Sequence, residues 1–357
     1  MLRARTALLV ACGVGLCWGF ALAGTADFPA PTQGPVTQIC NSKDLPDGPH
    51  YINDHTLIQH TPSDGGNGTW HLYGIFHHEP ADPEHEIHFV HAVATEPDPS
   101  KWDSTSFVIP PPGSPVRYAL TAQAEYNETH IWAPHVLRDA KRNRWVMVFQ
   151  ASNYGGNNNA AQIKMAVSPD LYKWTRQPTS FIFTDICVAR DPKLVHHPDQ
   201  DLWTIYYTRC NNVTGELSGV GYRTSTDLSS WSEPQMALVL PASMGAPFKP
   251  SFNSAASESP FVYNRNGVWY LSICVPPMSY KTTMLFASTD PHHFAPTPVA
   301  TLDSHCAEWI PTPVSPLGEA SSVQPQEGGS WMTSAGWAQG GVYLSPMSWG
   351  GNTTTMS

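Results

Sequence analysis

Short runs rich in tryptophan, tyrosine and aliphatic residues recur along the chain, and polar sequences with proline and glycine separate them. Clear examples are residues 69–73, 144–149 and 202–207. Aromatic and branched side chains favour a pleated, half-buried surface, whereas proline and glycine favour the turns between strands. The pattern therefore predicts many short β-strands and few long helices.

Two sequence signatures alternate along these strands. One is a polar or Pro-containing strand start followed by a Trp/Tyr-rich strand, and the other is a Ser/Thr-rich strand that ends in a turn and an aromatic residue. They divide the chain into five units, at residues 51–102, 131–174, 188–231, 258–294 and 305–349. Repeats of this size, each able to form a small antiparallel sheet, are typical of propellers. We predict an all-β fold, a five-bladed β-propeller, with an irregular β-sandwich as the alternative.

The place of a residue within its unit predicts where it lies in the propeller. The aromatic residues that end the units are expected to fill the seams between blades; they are Trp102, Trp174, Trp231, Phe294 and Trp349. The starts of the innermost strands surround the central funnel, so polar residues there are brought together from distant parts of the chain. Chemistry is therefore expected at the strand starts.

Three strand starts carry an acidic residue: Asp54, Asp191 and Glu258. Singly, each has a structural explanation, namely an Asx turn, an ion pair with Arg190 or a solvated loop position. Together, three carboxylates around one funnel repel one another, so one should stay protonated while another is ionised near neutral pH. Cleavage of a glycosidic bond needs that combination, because one group protonates the leaving oxygen and another attacks or activates water.

Composition and charge narrow the class of ligand. The chain has 357 residues, of which 41% are hydrophobic and 13% charged, and its formal net charge is -10. Such a chain can bury a large core. Its lysines and arginines are not clustered, so nothing predicts binding to nucleic acid or to an anionic membrane. A neutral ligand such as a carbohydrate fits better, and we expect a monomer.

The N-terminus has the features of a secretory signal. Two arginines precede an apolar run that ends in a small-residue cleavage sequence at residues 21–23. We predict a signal peptide at 1–23, a Pro-rich lead at 24–50 and a catalytic propeller at 51–357, with an uncleaved membrane anchor as the alternative to the signal. Glycosylation sequons lie at Asn67, Asn127, Asn212 and Asn352. We therefore expect a secreted glycoprotein with no membrane association after cleavage.

Five cysteines remain once the predicted signal is removed: Cys40, Cys187, Cys210, Cys274 and Cys306. The odd number leaves at least one of them unpaired within the chain. No two have C-x-x-C spacing, which disfavours zinc and thioredoxin-like sites. Cys187 and Cys210 flank one predicted hairpin and could pair, although spacing does not fix the connectivity.

The strand-start motifs resemble those of a known group of enzymes. Asn53-Asp54, Arg190-Asp191-Pro192 and Glu258-Ser259-Pro260 are similar to the three acidic motifs of the five-bladed β-propeller glycoside hydrolases of families 32, 68 and 43. Trp132-Ala133-Pro134 resembles a second-blade motif of family 43. These families include fructosidases, levansucrases and arabinan- or xylan-cleaving enzymes, and the similarity covers residues 50–349.

The resemblance implies that Asp54 is the nucleophile or general base, Asp191 the stabilising and pKa-setting acid, and Glu258 the proton donor. There are departures from the fructosidase pattern: His55-Thr56-Leu57 stands where fructosidases have Pro-Asn-Gly, and Ser259 stands where they have cysteine. The fifth unit is also followed by too few residues for the second β-sandwich domain of family 32. Family 43 therefore stays open, as do the sugar and the choice between retention and inversion.

Five further residues near the strand starts are expected to bind substrate: Trp132, His135, Arg190, His305 and Glu308. Trp132 offers a ring face for a sugar, with a seam position as the alternative. In some family 43 enzymes a late-blade histidine lies near a bound cation. His305 is thus a candidate for a water-mediated calcium site, for a hydrogen bond to sugar, or for a structural role. No other cofactor and no metal ligand is predicted.

The first unit is rich in histidine, at His77, His78, His85, His88 and His91. Their spacing matches neither one face of a helix nor a zinc finger. We expect them to be solvated loop and strand residues rather than metal ligands.

The leading functional hypothesis is a secreted hydrolase of furanosidic, pentosyl or fructosyl linkages in oligo- or polysaccharides. A carbohydrate-binding propeller that has lost catalysis is the alternative, because one repeat scaffold hosts many functions. A binding module would not need the complete set of three acids. A protein-binding propeller is disfavoured, since the units lack its Gly-His and Trp-Asp pairs.

Overall fold

The computed structural model describes residues 28–152, 161–185, 189–210, 218–244, 257–275, 279–311, 328–336 and 340–350. Within these ranges the strands are β1 (Pro31–Gln33), β2 (Thr37–Asn41), β3 (His50–Gln59), β4 (Trp70–His78), β5 (His88–Ala94), β6 (Tyr118–Thr121), β7 (His130–Asp139), β8 (Arg144–Ser152), β9 (Gln162–Ser168), β10 (Thr175–Phe183), β11 (Ala189–His197), β12 (Leu202–Cys210), β13 (Ser218–Ser225), β14 (Gln235–Val239), β15 (Glu258–Arg265), β16 (Val268–Val275), β17 (Ser279–Ser288), β18 (Ala300–Leu302), β19 (Glu308–Pro311), β20 (Gly328–Ser334) and β21 (Gly341–Trp349). Short 3-10 helices lie in the connections, at Pro62–Asp64, Pro83–His85, Pro99–Lys101, Ala124–Tyr126, Ala140–Arg142, Pro198–Gln200 and Ala242–Met244.

The strands form five antiparallel sheets in chain order, which confirms the five-bladed β-propeller. Blade 1 is β3–β6, blade 2 is β7–β10, blade 3 is β11–β14 and blade 4 is β15–β18. Blade 5 contains β19, β20 and β21. The first strands of the five blades contact one another in order around the ring, and β19 returns to β3. The starts of these strands therefore surround one funnel, as the repeat pattern predicts.

The N-terminal lead closes the ring. Strands β1 and β2 both pair with β21, with Thr32 opposite Ser348 and Thr37 opposite Leu344. The chain then crosses directly from blade 5 into β3 of blade 1. This pairing was not predicted, because the two strands have only three and five residues and lie in a Pro-rich segment.

Each seam between neighbouring blades contains one apolar cluster, and the five aromatic residues predicted for the seams lie in these clusters. Trp102 packs between blades 5 and 1, Trp174 between 1 and 2, and Trp231 between 2 and 3. Phe294 packs between blades 3 and 4 and Trp349 between 4 and 5. Burial of apolar area between blades is therefore what holds the ring together.

The described residues also settle part of the cysteine pairing. Cys274 and Cys306 form a disulfide that joins the end of β16 to the start of blade 5. Cys40 is a buried free thiol. Cys187 and the side chain of Cys210 lie outside the described residues, as does the predicted signal at 1–23. No helix in the described part of the chain has the length and apolar character to cross a bilayer.

Candidate active site

The same backbone feature recurs near the start of all five inner strands. One residue in each has a positive φ, namely Asp54 (35°), Ala133 (49°), Asp191 (52°), Ser259 (47°) and Cys306 (40°). In the first four blades the pairing register with the next strand shifts at this residue, so the feature is a β-bulge. Positive φ is uncommon for residues other than glycine and concentrates at functional sites. Bulges redirect side chains. All five positive-φ residues lie near the starts of the inner strands, around the funnel.

The repeat places the three acids slightly differently from the sequence prediction. Asp54 and Asp191 occupy the bulge itself, whereas Glu258 precedes the bulge residue Ser259. The first two acids are therefore equivalent in the repeat, and Glu258 is equivalent to Asn53 and Arg190. Alternate residues of a strand point to opposite faces, so only the local bulge geometry allows the third acid to join the other two.

The structure brings the three acids together through hydrogen bonds. Ser259 links the two aspartates, because its Oγ donates to Asp54 Oδ1 at 2.8 Å and its backbone N–H donates to Asp191 Oδ2 at 3.1 Å. Thr208 Oγ1 lies 3.5 Å from the same oxygen of Asp191. No sequence argument singled out Ser259 except as a departure from the fructosidase motif. In the structure Ser259 connects the two aspartates of the site.

Arg190 joins Glu258 to this group. Its Nη2 donates to Glu258 Oε1 at 2.9 Å and lies 3.8 Å from Asp191 Oδ2. The guanidinium is buried, and the two carboxylates that it contacts are those of the catalytic candidates Glu258 and Asp191. Arg190 was expected to bind substrate, but the structure shows it positioning Glu258 and Asp191.

Burial and mutual repulsion control the protonation of the aspartates. Burial raises the pKa of Asp54 well above 3.8, the negative charge of Asp191 raises it further, and the hydrogen bond from Ser259 opposes both effects. Burial also raises the pKa of Asp191, against the attraction of Arg190. Burial disfavours the charge of Arg190, but Asp191 and Glu258 outweigh it and raise the Arg190 pKa. The charges of the two aspartates interact, so we expect Asp54 and Asp191 to titrate as a pair rather than independently.

We expect the Ser259→Ala substitution to shift the acidic limb of the activity profile to higher pH. The hydroxyl favours ionised Asp54, so its loss raises the pKa of that carboxyl further. Activity that needs ionised Asp54 is then lost at a higher pH as the solution is acidified. The measurement is the pH dependence of kcat/KM, with exposed Ser232→Ala as the control. An acidic limb that stays in place would show that Asp54 ionisation does not govern it.

Trp132 is held in a buried hydrogen-bond network. Its Nε1 donates to Glu86 Oε2 at 2.7 Å, and Tyr51 Oη donates to Glu86 Oε1 at 3.0 Å. The indole is only 5% exposed and packs in the seam between blades 1 and 2, with the ring of His130 stacked on it. The seam alternative therefore applies to Trp132, and its face is not open to a sugar.

Glu86 is a buried acid that sequence reasoning missed. Burial raises its pKa from 4.5 to about 7, although the hydrogen bonds from Trp132 and Tyr51 lower it. Its charge also contributes to the raised pKa of Asp54, so it lies in the electrostatic environment of the site. Glu86 lies in the loop before β5, and only the strand starts were predicted to carry catalytic residues, so no sequence pattern pointed to it.

The Glu86→Gln variant should be more stable than the parent above neutral pH. A raised folded-state pKa gives stability that is complete below the unfolded value of 4.5 and is lost as pH rises to about 7. The neutral amide avoids this loss, which is about 3 kcal/mol at most. Urea unfolding at pH 4.5 and pH 8 measures it, with exposed Glu84→Gln as the control. Equal pH dependence in parent and variant would contradict the assignment.

Comparison with known proteins identifies the fold of the chain. No family model and no curated protein matches the chain. A GH43_1 enzyme from Xanthomonas citri has a TM-score of 0.55 at 13% identity, over 90% of this chain and 92% of that one. A thermostable family-43 glycoside hydrolase has a TM-score of 0.51 at 16% identity, covering 87% and 92%. The chain has the fold of family-43 glycoside hydrolases.

The same fold also carries other reactions. An endo-arabinase from Bacteroides thetaiotaomicron VPI-5482 has a TM-score of 0.52 at 14% identity, over 77% of this chain and 88% of that one. An N-acetylgalactosamine deacetylase from F. plautii has a TM-score of 0.52 at 11% identity, covering 90% and 94%. The family-43 fold alone therefore does not fix the reaction, and the residues of the site must decide it.

Below the three acids, the propeller axis is occupied by a buried lysine. Lys193 Nζ lies 3.8 Å from Glu308 Oε2 and 3.0 Å from the centre of the Phe261 ring. Burial lowers the pKa of Lys193 to about 7, against the attraction of Glu308. Burial raises the pKa of Glu308 to about 7, opposed by Lys193 and by a hydrogen bond from Thr56. Glu308, expected to bind substrate, instead pairs with this lysine, although both line the pocket that contains Asp54 and Asp191.

His135 also belongs to this axial region. It is 6% exposed, and its Nδ1 accepts the backbone N–H of Leu194 at 3.1 Å. This bond fixes the proton of the neutral ring on Nε2. The imidazole thus supports the inner strand of blade 3, and its burial argues against the predicted contact with sugar.

His305 lies beside the disulfide. Its Nδ1 lies 3.9 Å from Cys274 Sγ and 3.7 Å from Cys306 Sγ, the two sulfur atoms of the disulfide. The water-mediated calcium site at His305 stays a prediction, since water molecules would supply the oxygen ligands that calcium takes. The positive-φ residue of blade 5 is Cys306, so this blade contributes a disulfide at the position where blades 1 and 3 contribute acids.

The histidines of blade 1 are less uniformly solvated than expected. His78 and His85 are exposed, and His77 and His88 are partly buried. His91 is buried, and its Nε2 lies 2.9 Å from Nδ1 of buried His71. Burial lowers the pKa of His71 to about 3 and that of His91 to about 4, so the pair is neutral at physiological pH. The prediction of a solvated residue is wrong for His91, because strand β5 turns it into the blade.

Proposed function

We propose that the protein is a glycoside hydrolase of the retaining or inverting two-carboxylate type. The observation that carries the proposal is the hydrogen-bonded group of Asp54, Asp191 and Glu258 at the mouth of the funnel, joined by Ser259 and Arg190. Asp191 is buried and Asp54 and Glu258 are half-buried. Placing three such acids around one cation costs stability, and a chemical role explains why the protein keeps them. A carbohydrate-binding propeller would gain nothing from that arrangement.

We assign each acid the role that its hydrogen bonds support. Glu258 Oε1 receives a hydrogen bond from Arg190, which fixes its direction and leaves the other oxygen to give a proton to the leaving glycosidic oxygen. Asp54, held by Ser259, is the carboxylate that attacks the anomeric carbon or removes a proton from the attacking water. Asp191 lies between them and stabilises the positive charge that develops on the sugar ring.

The stereochemical course depends on whether Asp54 acts as a nucleophile or as a base. As a nucleophile it forms a glycosyl ester that water then cleaves, and the released sugar keeps its anomeric configuration. As a base it activates water, and the configuration inverts. In the retaining course Glu258 takes the proton of the attacking water and is restored directly. In the inverting course Asp54 takes that proton, so the site is reset when Asp54 releases a proton to solvent and Glu258 takes one up.

We assign the substrate to the furanosidic and pentosyl linkages, with fructosyl linkages as the second group. The supporting observations are the absence of a basic cluster in the sequence and the names of proteins with this fold. One is an endo-arabinase, and another, the GH43_1 enzyme from Xanthomonas citri, was solved in complex with xylotriose. These names belong to those proteins, and only a direct assay assigns a sugar to this chain.

We further propose that the enzyme is secreted as a monomer after removal of residues 1–23. The signal-like N-terminus supports secretion. The Cys274–Cys306 disulfide agrees with an oxidising compartment. Asn67 and Asn127, the two sequon asparagines within the described residues, are both exposed and thus open to glycosylation.

The test is a product screen with the full mature chain on arabinan, arabinoxylan, sucrose, inulin and levan. We expect release of pentose or pentose oligomers, and NMR of the first anomer formed then shows retention or inversion. Release of fructose would transfer the protein to the fructosidase group. Binding to a polysaccharide without any hydrolysis would support the inactive carbohydrate-binding propeller. Release of acetate without cleavage of glycosidic bonds would indicate a deacetylase.

A further inference from the structure

Three side chains of types that bind metals converge where strand β3 of blade 1 begins and strand β4 ends. They are Asp47, His50 and His78, and one ligand atom from each lies within 4.8 Å of the other two. His50 opens β3 and His78 closes β4, while Asp47 lies in the segment that crosses from blade 5. Nothing in the proposed hydrolysis uses these residues.

The two histidines are neighbours because of strand pairing. His50 and His78 stand directly opposite each other in the antiparallel β3–β4 ladder, and their ring centres are 3.8 Å apart. Side chains that face each other across such a ladder project to the same side of the sheet. The ring of His78 is exposed, so it can turn toward a ligand shared with His50.

The ring of His50 is already oriented for coordination. Its Nδ1 lies 2.9 Å from the carbonyl oxygen of Gly48, which can only accept, so the neutral ring carries its proton on Nδ1. Nε2 then has a free lone pair and lies 3.7 Å from Asp47 Oδ2. Stacking on Phe76, at 4.3 Å between ring centres, keeps the imidazole in this plane. A backbone carbonyl on the far nitrogen is the usual support of a metal-bound histidine.

The carboxylate of Asp47 is fixed by a buried arginine. Arg117 Nη2 donates to Asp47 Oδ2 at 2.8 Å, and the guanidinium packs over the Phe76 ring. A carboxylate held in this way has lost part of its rotamer freedom before any cation binds, which favours binding. The positive charge of Arg117 also reduces the attraction for a cation, so we expect a weaker site than the same ligands would form without it.

We propose that Asp47, His50 and His78 form a binding site for a divalent metal ion of the zinc class. Two imidazoles and one carboxylate are ligands that zinc accepts, and two of the three residues are exposed, which leaves room for water as a further ligand. The bound ion would join the crossing segment from blade 5 to both first strands of blade 1, and so would strengthen the closure of the ring.

The chain itself offers two comparisons for this site. Cys274, His305 and Cys306 also converge, but the two sulfurs are bonded to each other and are not thiolate ligands. His77, His85 and Asp82 have the same residue types as the proposed site, with His85 Nδ1 3.2 Å from Asp82 Oδ2 and the two rings stacked at 5.0 Å. Their ligand atoms do not meet the three-way convergence found for Asp47, His50 and His78, so His85 is a matched control.

The experiment titrates the chelator-treated, full mature protein with ZnCl2 by calorimetry and with Co²⁺ by visible absorption. We expect one saturable Zn²⁺ site in the parent and in His85→Ala, with at least about tenfold weaker binding in His78→Ala. His78 is exposed, so this variant should fold, which circular dichroism checks. Zn²⁺ should raise Tm in the parent and in His85→Ala but not in His78→Ala. Absence of saturable binding to the parent, or equal affinity in parent and His78→Ala, would overturn the proposal.

Discussion

Replacement of Glu258 by glutamine is expected to lower kcat/KM on an oligosaccharide by about 10²–10⁴-fold, because the amide cannot protonate the leaving oxygen. The loss should be much smaller on an aryl glycoside whose phenolate leaves without a proton. Glutamine keeps the size of the side chain and still accepts the hydrogen bond that Arg190 donates at 2.9 Å. Folding and oligosaccharide binding should therefore be retained, which calorimetry on the variant measures.

The exposed Glu233, in the connection between β13 and β14, provides the matched control. Glu233→Gln should keep parental activity on both substrates. An equal loss on the oligosaccharide and the aryl glycoside in Glu258→Gln would show that Glu258 acts in another step. Parental turnover in that variant would remove Glu258 as the proton donor altogether.

Asp54→Ala should lose activity by at least about 10³-fold, because it removes the group that attacks or activates water. The same variant should gain stability at neutral pH. Burial and the charge of Asp191 raise the pKa of Asp54, so its ionised form is unfavourable in the folded protein at any pH above its unfolded value of 3.8. Loss of activity together with a higher Tm is the pattern of a residue kept for function at the expense of stability.

The measurements are kcat/KM and thermal unfolding at pH 7, with exposed Asp103→Ala as the control. Added azide or formate should restore part of the activity in Asp54→Ala, since a small anion can enter the space of the missing carboxylate. In the parent, a slow 2-fluoro glycosyl substrate should label the peptide that contains Asp54 if the enzyme is retaining. A variant that is both less active and less stable, with no response to anions, would indicate a structural role for Asp54.

The strand-start acids could be found from the sequence because a propeller repeats the same local pattern in every blade. Asp54 and Asp191 stand at equivalent bulge positions, and the predicted units begin at the observed inner strands. The position of Glu258 one residue earlier was not visible, since the bulge is a property of backbone dihedral angles rather than of residue type. The role of Ser259 was also missed, because it consists of two hydrogen bonds to side chains from other blades.

Three of the residues predicted to bind sugar make contacts within the protein that the sequence did not predict. Trp132, His135 and Glu308 were chosen because they are polar or aromatic and lie near strand starts. In the structure Trp132 bonds to Glu86, His135 accepts from Leu194, and Glu308 pairs with Lys193. Side chains only a few positions apart along an inner strand can face the funnel, a seam or the axis. Sequence position alone does not separate these directions.

Preferences for strand and turn depend on neighbouring residues, so they were enough to predict the grouping of strands into five blades and the residues near the start of each inner strand. The tertiary structure alone decided the closure of the ring, where Gln38 bonds to Gly340 over 302 positions, and the meeting of Ser259 with Asp54 over 205. It also decided which acids are buried and which histidines lie next to each other. These properties depend on distances between residues far apart in the chain, and such distances exist only after the blades have packed against one another.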